Sequence, residues 1–338
     1  MAKKLKGQTL IFSNPPQIIG HTSVVGPEEK KGPYGKDFDF AYQDVKCGKD
    51  SWEKGEKQMA SDALKGAMDK AGLDPSDVNL ILGGDLLDEI ITADYVARDQ
   101  DIPFLGLYSA CAIMVEALGL GAALMDGGFA DCVLAFASSD YQTAERQYRN
   151  PIEYGAQYPP YKQYTVTGAA AYALGWLGGQ TWITHFTAGK VLDLGVKDPN
   201  NMGSAMAPAA ADTILQHFAD LERGLPDYDL ILSGDLGKMG KKMLLSLLQE
   251  KNLNPGKKLQ DCGALIFGGK EKYGAGGSGA GASGVMLGNV FIPKIIKGEI
   301  NRILLVGTGA LLSPLTIQQG ESIPGIAHAV VVEKITGG

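Results

Sequence analysis

The chain's 338 residues, 45% hydrophobic and 20% charged, suit two domains, or two halves sharing a core, of ordinary globular composition. Lys and Arg number 31 against 38 Asp and Glu, a net charge of −7 with no basic block, which argues against nucleic acid as the main partner. The four cysteines, Cys47, Cys111, Cys132 and Cys262, have neither metal spacing nor the density of a secreted scaffold and fit a reducing cytoplasm, and no signal peptide or membrane-spanning segment is expected.

In chain order, QTLIFS reads as a short strand, followed by a Pro/Gly-rich surface loop that holds His21 and runs through GPEEKKGPYG. Residues 51–71 place Trp52, Met59, Ala63, Leu64, Ala67 and Met68 near helical spacing, with Gly72 as the stop, and predict an amphipathic helix. A strand over 79–83, the Gly84-Asp85 turn and a helix over about 92–100 come next.

The stretch from Pro103 to Ser139 then predicts a strand over 104–108, a sharp turn at Ser109-Ala110, a helix over 112–125 stopped by Gly127-Gly128, and a buried strand over 132–137. This is one parallel crossover unit of an α/β protein. It puts Cys111 at a helix N-terminus, where the helix dipole favours the thiolate. Two readings stay open, a nucleophile and a small buried hydrophobe.

Ser138 and Ser139 end the strand that follows, where parallel sheets present groups to ligands or cap the next helix. Residues 140–164 carry Arg146, Arg149 and the tyrosines Tyr141, Tyr148, Tyr154, Tyr158, Tyr161 and Tyr164, broken by Asn150-Pro151 and Pro159-Pro160. A long segment of this kind suits a dimer contact or a pocket lid. His21, His185 and His217 read as loop or packing residues. YGAGGSGAGASG at 273–284 lacks the Lys-Ser/Thr ending of a phosphate loop and reads as close backbone packing beside a central helix. NMGSAMAPAAAD reads as helix packing.

An internal repeat organises the whole. DVNLILGGDLL at 77–87 recurs as DYDLILSGDLG at 227–237, and MDGGFADCVLAFAS has a fainter echo in IKGEINRILLVGTG at 296–309, an alignment that sets Cys111 opposite Ala282. A period of about half the chain implies one pseudo-symmetric molecule with halves 1–180 and 181–338.

Two such halves with a cysteine in the first only resemble the thiolase-like superfamily. More narrowly, GDLLDEIITADYVAR, TAERQYR, DLGVKDPNNMGSAMAPAAADTI, GTGALLSP and ESIPGIAHAVVVE are similar to the stage V sporulation protein AD family over nearly the whole chain. That resemblance implies an α/β thiolase-like fold, with mixed five-stranded sheets in an αβαβα layering. It implies a sporulation and germination protein that binds dipicolinic acid (pyridine-2,6-dicarboxylate), with or without calcium, for uptake into the developing spore. It further implies a homodimer, formed through the apolar run 132–137, and peripheral attachment to the spore inner membrane through other stage V A membrane proteins.

Condensing enzymes of the superfamily add His with His or Asn from the second half to the cysteine. Here those positions fall near Ser233-Gly234-Asp235 and in AGGSGAGASG, which hold neither residue. A non-condensing binding protein is therefore the favoured expectation, with Cys111, Ser138, Ser139, Arg146 and His328 as ligand contacts. An acyl transferase or condensing enzyme using Cys111, with His328 as base, is the alternative.

Overall fold

The computed structural model describes residues 7–148 and 159–335. Arg149, Asn150, Pro151, Tyr154 and Tyr158 of the long segment lie outside the described residues. Ten strands carry the architecture: β1 (Gln17–Val25), β2 (Leu80–Gly84), β3 (Phe104–Gly106), β4 (Val133–Ser139), β5 (Gly168–Gly175), β6 (Thr181–Thr187), β7 (Leu230–Ser233), β8 (Leu259–Asp261), β9 (Arg302–Ala310) and β10 (Gly325–Glu333). The first five run in the spatial order β3-β2-β4-β5-β1 and the second five in the order β8-β7-β9-β10-β6, the same order twice. Each set is parallel except for its last-formed strand (β5 or β10), which runs antiparallel to both neighbours. The sets join through a short antiparallel contact between β1 and β6, at Gln17 opposite Trp182 and Ile18 opposite Thr181.

Helices fill three layers around these strands, giving the αβαβα arrangement. The helices used below are α1 (Trp52–Ala71), α2 (Ile91–Gln100), α3 (Ile113–Asp126), α4 (Tyr141–Tyr148), α5 (Met202–Leu221), α6 (Gly237–Glu250) and α7 (Ala280–Met286). Helix α1 starts where the Ser51 hydroxyl accepts the Lys54 N–H and ends at left-handed Gly72. Its Met59, Ala63, Leu64 and Ala67 pack on the outer face of the first sheet with Ile81, Leu134 and Phe136. Helix α5 covers the outer face of the second sheet with Met206, Ala210 and Ile214. Between the sheets lie α3 and α7, whose Ile113, Met114, Leu118, Ala282 and Val285 belong to one shared core. Helices buried on all sides must be short in polar groups, and IMVEALGLGAALMD and AGASGVM are.

Three expectations are corrected. The stretch after QTLIFS is not simply a surface loop: Gln17–Val25, with His21, is β1, and Pro27–Lys30 forms a helical turn that buries Glu29, which accepts the Thr167 N–H at 3.0 Å. The run 132–137 cannot be a dimer edge, because β4 is paired on both sides by β2 and β5 and is wholly buried. The free edge of the first sheet is β3, where Leu105 is half exposed. The strand predicted over 104–108 stops at Gly106 because Leu107 turns its N–H to the Gly83 carbonyl and the chain bends toward Cys111.

Candidate functional site

Cys111 sits one turn before regular helix. Ala110 adopts a left-handed backbone (φ 51°), Ala110–Ala112 form a 3-10 turn, and α3 begins at Ile113. A non-glycine residue held there costs of order 1–2 kcal/mol and must be fixed by its surroundings. Strand β9 fixes it. A Cβ on Gly309 would come within 2.2 Å of the Ser109 carbonyl oxygen, and one on Gly307 within 2.7 Å of Val115. The GTG sequence at 307–309 therefore lets the turn lie directly on the strand, and Thr308 between the glycines reaches past it to Asp235.

Asp235 follows β7, and Ser278 lies on the short strand Gly277–Ser278, which pairs with Tyr164–Thr165. These segments converge on the cysteine. Ser278 donates to Asp235 Oδ2 at 2.7 Å, the Gly279 N–H to the same oxygen at 3.0 Å, and Thr308 to Oδ1 at 2.6 Å. Cys111 Sγ lies 3.7 Å from Ser278 Oγ and also hydrogen-bonds Asp235. The positions where the resemblance led one to look for His and Asn thus hold an acid and a hydroxyl.

Their electrostatics reverse the expectation for the thiol. Burial pushes the Cys111 thiol well above its ordinary value, and the negative charge and hydrogen bond of Asp235 push the same way. Loss of water outweighs a helix dipole that begins only a turn later. Burial also raises the Asp235 carboxyl, against the donors that favour its charged form.

Cys111 and Ser278 form the floor of a narrow slot walled by Leu86, Tyr108, Tyr148, Met202, Ala310 and Leu312. Its void is about 420 Å³ with the open mouth included, which suits a small guest. The Tyr108 and Tyr148 hydroxyls lie 3.3 Å apart in its wall, and Tyr148 also donates to the Leu86 carbonyl.

Of the five residues named from sequence, Cys111 alone lines the slot. Ser138 points to the outer side of the sheet and donates to Glu56 at 3.0 Å. Ser139 donates to the Val166 carbonyl at 2.7 Å and accepts the Gly281 N–H, bracing the floor from behind. Arg146 turns back to α1, pairing with Glu53 over the Trp52 ring. His328 accepts the Gly189 N–H at 3.1 Å beside Phe186, and burial lowers its pKa to about 4. Sequence reading placed Tyr148 in a dimer-contact or lid segment, and Asp235 and Ser278 at the second-half catalytic positions without naming them as ligand contacts; it missed Tyr108 and Thr308, and Met202, read as helix packing, instead walls the slot. Among the described residues no group of three or more His, Cys, Asp or Glu is placed to hold a metal ion, and no helix is long and apolar enough to cross a membrane.

Solved structures share this architecture. An acetyl-CoA acetyltransferase from Syntrophomonas wolfei aligns over 95% of this chain and 99% of its own, with a TM-score of 0.60 and 12% identity. The 3-oxoacyl-[acyl-carrier-protein] synthase III of Aquifex aeolicus VF5 aligns over 94% and 99%, with a TM-score of 0.56 and 13% identity. At such identities the likeness speaks for a thiolase-like fold alone. In sequence, the chain is 47% identical over 335 residues, 99% of either protein, to a stage V sporulation protein AD of Bacillus subtilis (strain 168). The profile described as "Stage V sporulation protein AD" matches residues 6–333. The chain belongs to the stage V sporulation protein AD family.

Proposed function

We propose that this sporulation protein binds dipicolinate in the Cys111 slot and holds it without covalent turnover, in support of dipicolinate uptake into the developing spore. The observation that carries the non-catalytic part is the company of the thiol. Cys111 faces a carboxyl and a hydroxyl in place of the His and Asn of condensing enzymes, and burial pushes its thiol well above the ordinary value. A condensing cysteine needs a thiolate and donors aimed at a thioester oxyanion. His328, the base of the alternative reading, accepts the Gly189 N–H at Nδ1 and does not line the slot. The ligand assignment rests on family membership and on a small cavity walled by Tyr108 and Tyr148.

The test pairs two measurements on the intact protein. Calorimetry with dipicolinate, with and without calcium and with benzoate as a one-carboxylate control, should give saturable heat for dipicolinate; absence of heat overturns the reading. Intact mass after incubation with acyl-coenzyme A should show no adduct. An acyl group on Cys111, absent from Cys111→Ala, would establish the enzyme instead.

Homodimerisation belongs to the same proposal, through the β3 edge. An edge strand paired on one side only, with exposed Leu105 and with Ile91, Tyr95 and Tyr108 also exposed in the same half, is a surface that another strand can extend. Leu105→Lys should shift light scattering from dimer to monomer at tens of micromolar, an order-of-magnitude choice for ordinary interfaces. Attachment to the spore inner membrane would then run through other stage V A membrane proteins, and the purified chain should not bind bare anionic vesicles at physiological salt.

A further inference from the structure

We infer that ligand binding in the Cys111 slot is coupled to uptake of a proton by Asp235, which acts through Ser278 as a positioning residue. This deepens the dipicolinate reading and rests on it. As the side chains lie, the Ser278 hydroxyl hydrogen is directed at Asp235 Oδ2, 2.7 Å away, and Thr308 and the Gly279 N–H also donate to that carboxylate. The Cys111 thiol is likewise engaged with Ser278 and Asp235. The floor of the slot therefore presents lone pairs to an incoming guest, with a buried negative charge one hydrogen bond behind them. A carboxylate meeting that floor is repelled.

One proton reverses the arrangement. Placed on Oδ2, it lets Asp235 donate to Ser278 Oγ across the same 2.7 Å, and the serine hydroxyl turns its own hydrogen into the slot toward the ligand carboxylate. Thr308 and Gly279 keep their bonds to the remaining lone pairs of the acid. The proton comes from solvent, no other bond changes, and the charge behind the floor disappears as the anion arrives. The other titratable groups facing Asp235 are Cys111 from the turn before α3, Asp261 at the end of β8, and Cys262 after it. Asp261 already accepts from Ser233 Oγ and from the Leu236, Gly237 and Ala264 N–H groups, and does not line the slot. A proton there would not free Ser278. Burial raises the Asp235 carboxyl above its ordinary value, the direction this exchange requires.

Calorimetry of dipicolinate in two buffers of different ionisation enthalpy counts protons on the wild-type protein without any variant. About one proton should be taken up per ligand above the titration point of the acid, and affinity should fall about tenfold per pH unit there. Asp235→Asn, whose amide donates to Ser278 at every pH while giving up the Gly279 N–H bond, should bind with no uptake and no pH dependence. Ser278→Ala should lose about tenfold to a hundredfold in affinity. Wild-type binding without proton uptake, or the same pH dependence in Asp235→Asn, overturns the coupling and leaves the dipicolinate reading standing. No binding at any pH overturns that reading, and the coupling with it.

Discussion

Asp85 and Asp235 occupy the same place in the two copies of the LIL-x-GD-L repeat, yet only one faces the site. Asp85 spends both oxygens at home, accepting the Leu87 N–H and the Ala93 N–H at 2.7 Å each and so fastening the start of α2. In the second half the N–H groups of Leu236 and Gly237, at the start of α6, go to Asp261 on the neighbouring strand. The register explains the exchange. Ser233 pairs with Asp261 where the repeat-equivalent Gly83 pairs with Gly106, so only the second half has an acid on that strand to take over capping. Asp235 is thereby released toward Cys111. In a duplicated fold, one substitution on an adjacent strand can convert a structural residue into a site residue without touching it.

The largest expected effect is at the substitute cap. Asp261→Ala would leave the Ser233 hydroxyl and the Leu236, Gly237 and Ala264 N–H groups without their buried acceptor. Chemical denaturation should report a loss of about 3–5 kcal/mol. Asp85→Ala orphans two N–H groups and should cost about 2 kcal/mol. Equal losses at the two positions would mean that the capping duty had not moved.

Burial of the acids gives a second, pH-dependent contrast. Loss of water raises Glu29 to about 8, Asp140 to about 7, Asp261 to about 7 and Asp85 to about 6. The unfolded chain has lost those protons by about pH 5, while the folded chain still holds them. The native state therefore binds more protons, and stability falls as pH rises through the folded values. The histidines act oppositely but lower, since burial takes His185 and His217 to about 3 and His21 and His328 to about 4. Their slope is half spent at about pH 6.5, where the unfolded imidazole is half neutral, and has nearly vanished by about pH 7.5. From about pH 6.5 to 8.5 the melting temperature should decline, with Glu29→Gln removing about 1–2 kcal/mol of that fall. A flat profile would mean that water reaches these carboxyls.

Much of this was legible in the sequence because it is local. The spacing of Met59, Ala63, Leu64 and Ala67 is a property of one helix, and the Gly72 and Gly127 stops lie beside the elements that they end. The repeat was legible because both copies build the same strand and turn. What escaped depends on segments distant in the chain. Nothing near Asp235 announces that Thr308 and Ser278 will turn to it. The identity of an edge strand is decided by lateral order, which places β3 outside and β4 inside. The thiol's direction of shift follows from burial by both halves, which overrides the local dipole argument.

The smallest expected effect is the most pointed test of the site's boundary. Arg146, seven residues past the cysteine unit, was the guanidinium that sequence reading offered as partner for a carboxylate ligand. In the fold its α4 neighbours Ala144 and Tyr148 line the slot, while Arg146 itself leaves on the opposite side to meet Glu53 and stack over Trp52 at 5.3 Å. The arginine side chain is half exposed, and ion pairs of that kind contribute about 0–1 kcal/mol. Arg146→Ala should therefore leave dipicolinate affinity within about twofold, change stability by less than about 1 kcal/mol, and be felt mainly in the fluorescence of Trp52. A loss of tenfold or more in affinity, with the melting temperature unchanged, would require α4 to rotate on binding so that the guanidinium swaps Glu53 for the ligand. The slot would then be completed by a cation from the first half, and Asp235 would not need to carry the charge balance alone.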